Sequence, residues 1–254
     1  MLSRREDKQL RALRQRKARE AEGLFLAEGV RAVEDLLDSP LAVRWVVTAP
    51  SLEDPPRGRA LREAVDRRGI ARREVAEAEL RAHAGTETPQ GVLAVAEIPG
   101  HGLDDLRPVR EPAVVLVLDA VQDPGNLGTL ARTAEALGAA GLVALPGTVD
   151  AWNPKAVRAA MGSSFRLPVV EAGWDELEPW LRARGFRVLA AAGEGPPLGE
   201  RPARAALVVG NEGAGVSEET RRRADALVGI PLRGRAESLN VGAAGAILLW
   251  ELLR

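Results

Sequence analysis

One segment limits the fold more than any other. Ala113-Val114-Val115-Leu116-Val117-Leu118 is an unbroken apolar run that ends on Asp119. A strand with one wet face alternates polar and apolar side chains, so a run without alternation predicts a strand covered on both faces, as inside a parallel sheet. A helix is predicted over 126–138, with Leu127, Leu130, Ala134 and Leu137 on one stripe. Further strands are predicted at 141–145, 186–191, 205–209 and 226–230, and helices at 174–184, 217–223 and 238–253. Strands alternating with helices predict an α/β domain with a mostly parallel sheet.

The first half has shorter elements. The patterning predicts a charged helix over 5–20, a strand over 23–27, a helix over 28–38 with Val30, Val33, Leu36 and Leu37 at helical spacing, a strand over 43–48, a helix over 59–68 and a strand over 91–96. Pro99, Gly100, Gly102, Pro108 and Pro112 then cluster in one polar stretch. They mark a linker at 97–112 between a smaller α/β domain, 1–96, and a larger one, 113–254.

Absences narrow the chemistry. The chain has no Cys, and its two His, His83 and His101, fall in segments that read as loops. No metal site or Ser-His-Asp triad is therefore expected. No apolar run is long enough to span a membrane, and the basic, polar N-terminus lacks the apolar centre of a signal peptide, so a cytoplasmic location is expected. Tyr is absent and aromatics make up 3% of the chain, which disfavours a sheet that stacks bases on aromatic rings. The net charge of −1 gives no hint of a polyanionic partner, but its distribution does. Arg4, Arg5, Lys8, Arg11, Arg14, Arg16, Lys17 and Arg19 stand against only Glu6 and Asp7 near the N-terminus. The planar fork of Arg suits phosphate, although the Arg excess runs through the whole chain, as a compositional bias would.

Open α/β sheets bind ligands at the carboxyl ends of their strands, so the loops there carry the functional reading. The first runs from Asp119 to Arg132, with Asn126 placed to cap the helix after a Pro-Gly turn. Arg132 lies about 200° around the helix from Leu130, off the apolar stripe. The second loop holds Gly210, Glu212, Gly213 and Gly215 before Ser217, a predicted helix cap. Its glycines allow close backbone approach to a ligand, but the spacing is not that of a dinucleotide fingerprint and no phosphate-loop lysine is present. A carboxylate such as Glu212 there needs a partner, and Arg is the natural one. The third loop runs from Gly229 to Val241, with Ser238 as predicted cap of the last helix. That helix is apolar nearly all round, with Ile247, Leu249 and Trp250 among others, which predicts burial in a core or at a subunit interface.

Taken in order, NLGTLAR at 126–132, GNEGAG at 210–215, and IPLRG at 230–234 with SLNV at 238–241 resemble the three motifs of the SpoU/TrmH family in the SPOUT class of RNA methyltransferases. FLAEGVRAVEDLL and TPQGVLAVAE, in the first half, resemble that family's substrate-binding domain. The resemblance implies transfer of a methyl group from S-adenosylmethionine to a ribose 2′-hydroxyl of structured RNA. It implies a catalytic domain whose C-terminal segment threads a trefoil knot and which works as a homodimer, with no metal. Residue by residue, Asn126 and Arg132 match the first motif, Glu212 the second, and Ser238 and Asn240 the third. Gly210, Ile230 and Leu239 stand where the family holds the cofactor through backbone groups. Gly242 departs from a Ser that the family often carries. The resemblance implies that Arg132 takes the hydroxyl proton; the alternative is that it only clamps a phosphate, because a guanidinium is ordinarily always protonated. Large-subunit ribosomal RNA, 23S, is the preferred substrate. A tRNA substrate, base methylation and a non-catalytic RNA-binding role are the alternatives. The basic N-terminal helix is the expected phosphate contact.

Overall fold

A computed structural model describes the whole chain, Met1–Arg254. In chain order its elements are α1 (Arg4–Ala12), α2 (Arg16–Glu22), β1 (Leu24–Glu28), α3 (Val30–Leu37), β2 (Val43–Thr48), α4 (Pro56–Arg67), β3 (Ala71–Glu74), α5 (Glu77–His83) and β4 (Val92–Glu97). Then follow β5 (Ala113–Asp119), α6 (Pro124–Leu137), β6 (Gly141–Ala144), α7 (Pro154–Ala160), β7 (Val169–Glu171), α8 (Trp174–Ala183), β8 (Arg187–Ala191), β9 (Arg204–Gly210), α9 (Glu218–Arg223), β10 (Ala226–Val228) and α10 (Val241–Leu253). No helix is long and apolar enough to cross a membrane.

The elements form two units: Met1–Gly100 with Trp152–Arg166, and His101–Ala151 with Leu167–Arg254. The expected continuous span of 113–254 is therefore interrupted. The apolar side chains of Trp152, Val157 and Phe165 complete the core of the first unit, where the Phe25 ring lies 4.7 Å from that of Trp152 and 5.7 Å from that of Phe165. The 97–112 stretch is also less of a linker than its prolines suggest. The second unit begins at His101, Leu106 is buried in that unit's core, and Trp180 Nε1 donates to Asp104 Oδ1 at 3.0 Å.

The first unit is built on a four-stranded mixed sheet of order β1-β4-β2-β3, with β4 antiparallel to β1 and β2, and β2 parallel to β3. Two elements here escape the apolar pattern. β3 reads Ala-Arg-Arg-Glu and sits at the sheet edge, where charged side chains guard an open strand. α5 places His83 in a helix, buried, instead of a loop. The predicted charged helix is two helices. Leu10 and Leu13 are buried, the chain turns, and Arg19 folds back so that Nη1 donates to the Leu13 carbonyl at 2.8 Å. Arg19 is only 2% exposed, so it is a helix-end partner and no phosphate contact.

The second unit has a six-stranded, all-parallel sheet of order β10-β8-β9-β5-β6-β7. All of β5 is buried, as its unbroken apolar run requires. Val115 and Val117 pack with Trp174, Leu177 and Leu181 of α8. α10 packs against α6, β9 and β5. Gly245 permits the approach: a Cβ there would lie 2.4 Å from Leu130 Cδ2. The chain runs from β5 outward to β6 and β7, then returns to build β8, β9 and β10 on the other side. The order thus reverses between β5 and β9, and ligand crevices form at such a reversal, beyond the carboxyl ends of the strands. Asp119 and Gly210, the last residues of β5 and β9, are register partners at that point.

Candidate active site

The loops that leave β5 and β9 are locked to each other at their roots. The Asp119 carboxylate accepts from the Ser217 amide at 2.7 Å and the Thr220 hydroxyl at 2.6 Å. Asn211 Nδ2 donates to the Ala120 carbonyl at 3.0 Å, while its Oδ1 accepts from the amides of Gly213 and Ala214. Gly210 lets the two loops cross this closely, since a Cβ there would lie 2.1 Å from the Gly215 carbonyl carbon.

A relay of side chains then joins all three loops. Glu212 accepts from the amides of Gln122 at 3.1 Å and Asp123 at 3.0 Å, and from Asn126 Nδ2 at 2.9 Å. Asn126 Oδ1 accepts from Asn240 Nδ2 at 3.0 Å. Asn240 Oδ1 accepts from the amides of Gly242 and Ala243 at the start of α10, at 2.9 and 3.3 Å. The direction of every bond is forced. An ionised carboxylate only accepts, so Asn126 must turn its NH2 to Glu212 and its oxygen to Asn240, and Asn240 must then turn its own oxygen to the helix. Burial pushes the Glu212 carboxyl up, but the bonds from Asn126, Asp123 and Gln122 outweigh it and hold the carboxyl below its ordinary value.

Three sequence expectations need correction here. Asn126 does not cap α6. Asp123 does, accepting from the Asn126 amide at 2.9 Å, with Pro124 in the first helical position. Ser238 does not cap α10, because Asn240 does. Glu212 has no Arg partner; Asn126 and two backbone amides take that place. Ser217 caps α9 as expected.

Beside the relay lies a cavity of about 510 Å³. Gly210, Glu212, Ile230, Ser238, Leu239 and Asn240 all line it. Arg132 does not. It lies on the exposed side of α6, six residues and about 9 Å along the axis from Asn126. The structure adds residues that motif reading passed over: Gln122, Asp123 and Asn211 at the loop roots, and the pair Arg221–Glu194 at 2.6 Å on the cavity wall. The Asp-Pro-Gly-Asn run carried the signal for Asp123, since Pro favours the first helical position directly after a cap. Nothing local could have paired Arg221 with Glu194, which lie on separate elements.

Residues 113–250 match the model of the SpoU rRNA Methylase family, and residues 6–94 match that of the MRM3-like substrate binding domain. The chain belongs to the SpoU rRNA methylase family. It is 40% identical over 248 residues to the 23S rRNA (guanosine(2553)-2′-O)-methyltransferase RlmP of Bacillus subtilis, covering 96% of this chain and 94% of that protein. It is 34% identical to the 23S rRNA (uridine(2479)-2′-O)-methyltransferase of Streptomyces viridochromogenes, over 94% of this chain and 85% of that one. Among solved structures it resembles the SpoU methyltransferase AviRb of Streptomyces viridochromogenes in complex with AdoMet, with a TM-score of 0.87 at 31% identity, covering 99% of this chain and 97% of that one. The AdoMet-bound rRNA methyltransferase of Sinorhizobium meliloti matches with a TM-score of 0.86 at 35% identity, over 99% and 95% of the two chains.

The cavity of this SpoU family member suits the cofactor those two structures carry. Glu194, Glu212 and Glu237 line it against a single cation, Arg221. An excess of carboxylates favours a ligand bearing a sulfonium and an ammonium group. Val228, Ile230, Leu239 and Leu248 supply apolar wall for a purine ring. The backbone amides of Ile230 and Leu239 have no acceptor within the chain and are available to a ligand.

Proposed function

We propose that this SpoU family protein methylates a ribose 2′-hydroxyl of 23S ribosomal RNA. The observation that carries the reading is the relay Glu212–Asn126–Asn240, which fixes all three motif loops around the cavity. The two named relatives, both 23S rRNA 2′-O-methyltransferases, support the substrate class.

S-adenosylmethionine, when bound, supplies the electrophilic methyl group. Gly210, Ile230 and Leu239 hold it, chiefly through backbone groups, and Glu212 keeps the surrounding loops in register. Ser238 and Asn126 face the RNA backbone and orient the target ribose, so that binding energy goes into alignment. Arg132 clamps the phosphate beside that ribose, a role its exposure suits, and orients the 2′-hydroxyl, whose proton passes to water as the methyl group is transferred. The first unit grips the RNA and the second does the chemistry. The protein acts as a homodimer through α10, whose Ile247 and Trp250 are 42% and 55% exposed and form an apolar face.

The test is transfer of labelled methyl from S-adenosylmethionine to unmodified 23S rRNA and tRNA transcripts. The expected result is label at a 2′-oxygen of the 23S transcript, lost in Arg132→Ala while calorimetric cofactor affinity stays unchanged. Label in tRNA alone, or cofactor binding with no transfer to either RNA, would overturn the reading.

A further inference from the structure

The first unit holds a cavity of about 270 Å³ that no step above uses. The N-terminus of α3 opens on it. Gly29 precedes that eight-residue helix at φ +97° and offers no side-chain cap. Gln90 Oε1 accepts from the Val30 amide at 2.9 Å, and the amides of Arg31 and Ala32 have no acceptor in the chain. These are the uncompensated donors at the positive end of a helix.

Two arginines share the lining. Arg31 is exposed and makes no hydrogen bond or ion pair. Arg158, from α7, has its Nη1 shut off from solvent with no hydrogen-bond acceptor. The nearest carboxylate is Glu28, at 3.8 Å, too far for a hydrogen bond. Glu28 is already committed elsewhere. It accepts from the amides of Gly85 at 2.7 Å and Thr86 at 3.2 Å, and from the Thr86 hydroxyl. A guanidinium nitrogen kept from water without an acceptor is costly, and a group with several anionic oxygens relieves that cost best. Here two guanidinium forks and two free helix amides line one concavity.

We infer that this cavity binds a phosphodiester of the RNA substrate, held by Arg31, Arg158 and the N-terminus of α3. The inference rests on the RNA reading above and names where the first unit takes hold. Arg158 falls within 113–250, the stretch matched by the methylase model, yet α7 packs on β1 in the first unit. Both matched segments therefore build the site.

The experiment compares wild type, Arg31→Ala and Arg67→Ala for affinity to a 23S rRNA transcript at two salt concentrations. Arg67 is exposed at the end of α4 and lies outside the cavity, so it controls for loss of charge alone. Arg31→Ala should weaken binding about ten-fold and lower the salt slope by about one. Arg67→Ala should do far less, and all three proteins should bind S-adenosylmethionine equally. Equal effects of the two substitutions would overturn the site while leaving the proposed methylation intact. Inorganic phosphate that stabilised wild type but not Arg31→Ala, with equal RNA affinity in both, would make it a free-anion site and overturn the RNA assignment. A wild type that binds cofactor but neither binds nor methylates 23S rRNA would overturn the proposed function and this site with it.

Discussion

The two cavities carry opposite charge. Arg31 and Arg158 face Glu28 alone in the first unit, whereas Glu194, Glu212 and Glu237 face Arg221 alone in the second. A whole-chain net charge of −1 hides this division completely. It matches two ligands of opposite sign, a polyanion and a sulfonium cation, and it sorts them by site before any shape is read. The means of holding geometry differ as well. Arginine pairs such as Arg73–Glu6 and Arg44–Glu97 stud the first unit, with each side chain partly in water. The second unit has arginine pairs of its own, such as Arg182–Asp225, but it aligns its motif loops with amides and the two carboxylates of Asp119 and Glu212. Exposed ion pairs yield to salt, whereas a directed amide relay does not.

The comparison breaks most visibly at Glu212. Glu212→Gln keeps one acceptor oxygen but sets an NH2 group against either the Gln122 amide or the Asp123 and Asn126 donors, and so loosens the joined loops. Methyl transfer should fall about 100-fold with RNA affinity unchanged. A matching loss of RNA affinity would show that the two units do not divide the labour. The wild-type carboxyl is held below its ordinary value, so its contribution is complete above that value and is lost only as pH falls through the lowered one. A transfer-rate profile should therefore show no Glu212 limb between pH 5 and 8.

Gly210→Ala comes next. Its Cβ would meet backbone atoms of Gly215 and Val216, at 2.1 and 2.2 Å, which cannot swing aside as a side-chain tip can. We expect a stability loss of about 2 kcal/mol in thermal unfolding, with weaker cofactor binding by calorimetry. An unchanged cofactor affinity would mean that the β9 loop does not shape the cavity.

The smallest effect belongs to the first unit. The Ser3 amide and hydroxyl, together with Arg73, hold the Glu6 carboxyl down at about 2, in a capping box at the start of α1. Glu6→Gln should cost about 1 kcal/mol at neutral pH and leave transfer per folded molecule untouched. Because the folded value is depressed, the difference between variant and wild type should shrink as pH falls below 4.5 towards 2.

The parts of this molecule that can be read along the chain are those with a one-dimensional signature. The short, β-branched, unalternating apolar run of β5 is typical of a doubly covered strand, and the glycines of 210–215 announce a close approach. Asn126, Glu212 and Asn240 were legible as a set, yet their bonds were not. Asn126 reads as the cap of α6 only while the helix is started two residues late, past Pro124. β3 carries too little apolar surface to show a period, and the burial of Arg19 depends on a turn at Leu13 that charge patterning cannot reveal. Arg158 needed the tertiary fold, because its partners lie more than sixty residues earlier in the chain.

The detour of Trp152–Arg166 into the first unit bears on ancestry. A chain assembled by joining two finished modules end to end can be cut at the seam and each half recovered. Here the aromatic cluster of Phe25, Trp152 and Phe165 draws one side from each matched segment. Swapping in a foreign N-terminal module would strand Trp152 and Phe165 without their partner ring. Any exchange of RNA specificity within such a lineage must therefore carry a short internal stretch along with the N-terminal hundred residues, and the two segments are expected to diverge in concert.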